Sequence, residues 1–92
     1  MGYYIEVPSS KNKTEQLIKL HDAKEVKCPE LFSDVPNDKA LICVIDNGLF
    51  EAAGYCYSPN EFREFKFDRS SQPRKWIIMD KDLAEKLSGY KR

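Results

Sequence analysis

The chain has 92 residues, room for one domain and no more. Hydrophobic residues make up 41% and charged residues 33%, a globular balance that excludes a disordered tail, a collagen-like repeat and a coiled coil. Fifteen basic and fifteen acidic side chains cancel, so no net field draws the chain to nucleic acid.

Tyr3-Tyr4-Ile5-Glu6-Val7 is aromatic and β-branched and predicts a first strand, ended by Pro8. Ser9 and Ser10 offer caps for a helix over Lys11–Asp22. Leu17 and Leu20 give that helix one narrow apolar stripe, suited to lying on a sheet. Lys24-Glu25-Val26-Lys27-Cys28 alternates polar and apolar and predicts a short edge strand, its lysines discouraging further pairing. Residues Pro29 to Lys39 read as a surface loop with one helical turn pinned by Phe32.

Ala40–Asp46 is a continuous apolar run and is expected at the centre of the sheet. Asn47-Gly48 predicts a two-residue type I′ turn, with the return strand over Leu49–Tyr57. That turn would pair Ile45 with Phe50, Cys43 with Ala52 and Leu41 with Gly54. On the other face it would pair Asp46 with Leu49 and Val44 with Glu51. Ala52, Ala53 and Gly54 leave space for a helix or an aromatic ring to approach.

Ser58-Pro59-Asn60-Glu61 is a capping box that opens a helix to about Phe65 or Lys66. Phe62 and Phe65 are expected to anchor it, with Glu61, Arg63 and Glu64 exposed. Phe67 to Lys75 reads as a polar loop and Trp76–Met79 as a strand. Asp80 caps a last helix over Lys81–Leu87, with Leu83, Ala84 and Leu87 inward. Gly89 ends it, and Tyr90 is placed to fold back. The expected fold is α+β, a mostly antiparallel sheet of four or five strands in the order β-α-(β)-β-β-α-β-α, with helices on one face.

Candidate chemistry is sparse. His21 is the single histidine, and its neighbour Asp22 points about 100° away on a helix. Its place near a helix C-terminus explains a cation there. Cys28, Cys43 and Cys56 are an odd count without the short spacing of a zinc site. They fit a reducing compartment, and the chain is expected to be soluble and cytoplasmic. No apolar run approaches the ~20 residues of a membrane span. The aspartates sit at turns and helix starts, where capping explains them. Glu51 is the exception, read as lying on a strand face open to water. No metal and no cofactor is expected.

The one feature resembling a binding surface is in the second half. Residues 1–46 carry six basic and eight acidic side chains, and residues 47–92 nine and seven. Arg63, Lys66, Arg69, Arg74 and Lys75 fall close together, interleaved with Phe62, Phe65, Phe67 and Trp76. Arginine with aromatics marks protein interfaces. The same mixture holds single-stranded nucleic acid by stacking and phosphate contact. Glu61, Glu64 and Asp68 dilute the charge and favour a protein partner. The expected contact residues are Tyr57, Arg63, Arg69, Arg74 and Trp76.

Two stretches, Lys39–Gly48 and Trp76–Leu83, resemble small uncharacterised accessory proteins of tailed bacteriophages. They cover about a fifth of the chain and carry no functional signature. The resemblance implies no activity, but it suits a small protein that binds and modulates a host factor. The leading expectation is a non-enzymatic protein-interaction module, an inhibitor or adaptor, monomeric or homodimeric. The alternatives are an RNA or single-stranded DNA binder using the same rim, and a small homodimeric enzyme with a shared site.

Overall fold

The computed structural model describes residues 3–7, 11–67 and 74–91. The proposed caps Ser9 and Ser10 lie outside them. The elements run β1 (Tyr3–Tyr4), α1 (Lys13–His21), β2 (Lys24–Val26), β3 (Lys39–Asp46), β4 (Glu51–Cys56), α2 (Pro59–Phe67), β5 (Arg74–Asp80) and α3 (Lys81–Ser88). A single 3-10 turn, Phe32–Asp34, interrupts the loop before β3. The five strands form one antiparallel sheet in the order β1-β4-β3-β5-β2.

The apolar run of β3 lies at the centre, paired on both sides and buried on both faces. Such a strand has no wet face, so it carries no alternation. The lysine-bearing β2 is an edge strand. β1 is the other edge and is short. After Tyr4 the chain gives one more bond to the sheet, Ile5 N–H to Ala53 O at 2.7 Å. Glu6 N–H then turns to Leu87 O of α3 at 3.1 Å, so the N-terminal segment ties β4 to α3.

The helices cover both faces of the sheet, not one. Alternation along β3 and β4 explains it. Ile42, Val44, Ala53 and Tyr55 point to one face with Ile77 and Met79 of β5, and this face carries α1 and α3. Leu41, Cys43, Cys56 and Trp76 point to the other, against Phe62 of α2 and the Phe32 turn. Since every β3 side chain from Ala40 to Ile45 is apolar, each face needs its own cover.

The β3–β4 hairpin differs from the two-residue turn. Ile45 faces Ala52, Cys43 faces Gly54 and Leu41 faces Cys56. The loop is four residues, 47–50. A type I′ turn needs two consecutive positive φ angles. Gly48 takes one at +88°, but Asp22 is the only non-glycine with a positive φ among the described residues. The Asn47 side chain braces the loop instead. Its Oδ1 accepts Leu49 N–H and Phe50 N–H, each at 2.9 Å, and Asp46 Oδ1 accepts Gly48 N–H at 2.8 Å. The register slips by two, so every side chain keeps its face.

Gly54 admits a ring as its neighbours suggested. A Cβ at this position would lie 2.9 Å from Phe65 Cε1 and overlap the rest of the ring edge. α2 can therefore settle on β4 only where the side chain is absent.

Three polar or apolar placements differ from expectation. Leu20 of α1 faces water, while Thr14 and Leu17 are buried. Glu61 of α2 is buried, its Oε1 accepting Tyr57 O–H at 3.2 Å. Glu51 is not on a wet strand face but is only 4% exposed. Its carboxylate reaches the first turn of α1, accepting Thr14 N–H at 2.9 Å and Thr14 Oγ1–H at 3.3 Å. A helix start leaves N–H groups without intrahelical partners, and an anion there is favoured by the dipole. Glu51 of β4 thus serves α1 as a cap supplied from another element, with Lys75 Nζ at 3.5 Å balancing the charge. Arg74 and Lys75 belong to β5 rather than to a loop.

The remaining ends follow local rules. Ser58 Oγ accepts Glu61 N–H at 3.3 Å, and Asp80 Oδ2 accepts Leu83 N–H at 3.0 Å. Gly89 is left-handed at φ 74°, and Tyr90 returns to donate its N–H to Glu85 O at 3.2 Å.

Candidate functional site

A concave, mainly apolar surface that includes a proposed contact residue, Arg63, lies between α2 and the segment Glu30–Phe32. It is a groove of about 310 Å³. That is near the lower end of the ~300–1,000 Å³ spanned by ligand sites. Leu31 and Phe67 form its lips, 63% and 69% exposed. Phe32 and Phe62 form its floor, their rings 6.1 Å apart. Arg63 and Lys66 lie along one wall and Glu30 along the other.

Each part has a local cause. Phe62 and Lys66 are four apart on α2, so they share a side of the helix. Lys66 Nζ donates to Glu30 O at 3.1 Å and sits 5.2 Å from the Phe62 ring centre and 5.6 Å from that of Phe67. The ammonium therefore pins the Glu30 segment to the helix and holds the groove at a fixed width. Leu31 is presented because Asp34 Oδ2 accepts its N–H at 3.1 Å, closing the 3-10 turn behind it.

The five expected contact residues do not form one rim. Arg63 is exposed on the groove wall. Trp76 is buried beneath the floor, its ring 5.5 Å from Phe62 and edge-on to it. Arg74 is half-buried at the start of β5 opposite Ile45, and the groove lining does not include it. Tyr57 follows the far end of β4, five residues beyond the Ala52 that also faces Ile45. At ~3.3 Å per residue that separation is about 17 Å. Arg69 lies outside the described residues. Of the groove lining only Arg63 is an expected contact, and the exposed members absent from that set include Leu31 and Phe67. Both looked like loop or core hydrophobes, and only the approach of two segments distant in sequence exposes them together.

Tyr57 instead joins a ring cluster. Its centroid is 5.4 Å from Tyr3, 5.7 Å from Tyr55 and 5.0 Å from Tyr90. Partial burial and the adjacent Glu61 carboxylate raise the Tyr57 phenol above its ordinary value of 10.0. The cluster clasps both chain ends to β4.

Of the three thiols only Cys28 is exposed. Cys43 and Cys56 are buried in the core, and burial pushes the Cys56 thiol far up, away from the thiolate a nucleophile needs. His21 closes α1. Among the described residues no cluster of three or more His, Cys, Asp or Glu could hold a metal ion. Among them, too, no helix is long and apolar enough to cross a membrane.

No protein-family model matches the chain, and neither a curated protein nor a solved structure does.

Proposed function

We propose that the chain is a non-enzymatic protein-interaction module, acting as an inhibitor or adaptor in a reducing, cytoplasmic compartment. The α2 groove binds a partner segment that carries apolar side chains flanked by a carboxylate. One observation carries this reading: Leu31 and Phe67 stand exposed over a preformed aromatic floor, with Arg63 on the wall. Exposed aromatic and aliphatic side chains around a pocket, with arginine at the margin, are the composition of interface hot spots. Arg63 is suited to a bidentate pair with a carboxylate. The resemblance to phage accessory proteins agrees with a host factor as the partner.

Nucleic acid fits this surface less well. Stacking needs open ring faces. Phe62 is 5% exposed and Trp76 7%, which leaves Phe67 as the one open ring in the groove lining.

The test is an NMR titration of the full chain with three probes: an acidic amphipathic peptide, the same peptide with lysines replacing its acids, and oligouridylate. The reading expects the acidic peptide to shift the amides of Leu31, Phe62, Arg63, Lys66 and Phe67. A response to oligouridylate alone replaces this function with RNA binding. A response to none of the three, or shifts elsewhere in the fold, overturns it.

A further inference from the structure

The β3–β4 loop places a chemically reactive pair in an activating setting. The chain has four asparagines, and only Asn47 precedes a glycine. Glycine offers the least steric resistance to attack by its own backbone nitrogen on the preceding side chain. In this loop both reacting groups are already held. Asn47 Oδ1 accepts two backbone N–H groups, from Leu49 and Phe50, each at 2.9 Å. Gly48 N–H is directed at Asp46 Oδ1, 2.8 Å away. The loop residues 47–50 are exposed, so water reaches them.

We propose that Asn47-Gly48 is a self-modification site, at which the folded loop promotes deamidation of Asn47 with Asp46 as the base. Asp46 draws the proton from the Gly48 amide. The Gly48 nitrogen forms a bond to Asn47 Cγ, and the charge that develops on Oδ1 is held by Leu49 N–H and Phe50 N–H. Two donors on a developing oxyanion are the arrangement that stabilises acyl-transfer intermediates. The Cγ–Nδ2 bond then breaks, and the amide nitrogen takes up the proton and leaves as ammonia. Water opens the resulting succinimide at either carbonyl. The product is aspartate or isoaspartate at position 47, and the balance is asparagine plus water giving the acid plus ammonia. The acid adds one negative charge beside Asp46, taking the formal net charge from 0 to −1. The isoaspartate form also lengthens the backbone inside the loop that sets the hairpin register.

The experiment is a time course of the intact, folded chain at mildly alkaline pH, read by mass and by peptide mapping that separates aspartate from isoaspartate. Asn47 is expected to convert while Asn12, Asn37 and Asn60 persist. Asp46→Asn keeps a side-chain acceptor but removes the base, and should slow conversion roughly tenfold or more. Asp46→Ala serves as the second variant and should slow it as much. In urea, where the loop is lost, both variants should react at the wild-type rate. Equal rates for the folded wild type and both variants would overturn the role of Asp46. A folded chain that stays intact while the unfolded chain reacts would overturn the site.

Discussion

The two faces of the sheet are closed differently. One carries α1 and α3, and its side chains from Ile42 to Met79 are sealed at the end by the tyrosine cluster. The other carries α2 and one 3-10 turn over Leu41, Cys43 and Trp76. A nine-residue helix and a three-residue turn cover the sheet there, and the seam between them, lined by α2 and Glu30–Phe32, is the groove. Stability is concentrated on the first face. The second has a smaller core and leaves the apolar groove beside α2 open.

The contrast has a direct test in paired truncations. Tyr55→Ala removes a 2% exposed ring from the sealed face and should cost about 3–5 kcal/mol by urea unfolding. Phe62→Ala should cost less, since the short helix and the 3-10 turn packed on that ring can close part of the gap. Equal losses would break the contrast.

Gly54→Ala sharpens it from the other side. The added Cβ meets the Phe65 ring, and the expected loss is about 1–3 kcal/mol. Adding Phe65→Leu should recover part of it, a coupling that a double-mutant cycle reads directly.

Glu51→Ala removes the cap that α1 borrows from β4. It should cost about 1–2 kcal/mol and raise hydrogen exchange in the first turn of α1. Unchanged exchange at Thr14 would remove Glu51 from that role.

The smallest expected effect is alkaline. The folded Tyr57 phenol titrates above its ordinary value, so the fold favours the neutral form. That contribution is complete below pH 10.0 and is lost as pH rises through the folded value. Tyr57→Phe should therefore melt with a shallower fall than wild type above that pH. Identical profiles would show that the cluster does not restrain the phenol.

Much of the fold was legible in the sequence. The unbroken apolar run of β3, the Ser58 cap of α2 and the Asp80–Gly89 frame of α3 each act through neighbours in sequence. The glycine-lined approach to β4 was legible too, because a missing side chain marks a close contact. What was not legible depended on long-range placement. Glu51 read as a wet strand residue because its partner is 37 positions away in α1. Asn-Gly marks the hairpin but not its loop length, since the Asn47 side chain accepts Leu49 N–H and Phe50 N–H and adds to the Asn47 N–H to Phe50 O bond that closes the longer turn. Of the five expected contacts only Arg63 lines the groove, while Phe62, Lys66 and Phe67 belong to the legible basic and aromatic cluster without being expected as contacts. Leu31 joins the groove through a contact between segments more than thirty residues apart.

The central claim is that the α2 groove, and not the helix-covered opposite face, receives the partner. The most direct measurement is the affinity of the acidic amphipathic peptide for wild type, for Arg63→Glu and for Ile18→Ser, a surface change on α1. The account predicts a loss of roughly tenfold or more for Arg63→Glu and none for Ile18→Ser, with both variants melting like wild type. Undiminished affinity in Arg63→Glu, or an equal loss in Ile18→Ser, would contradict it.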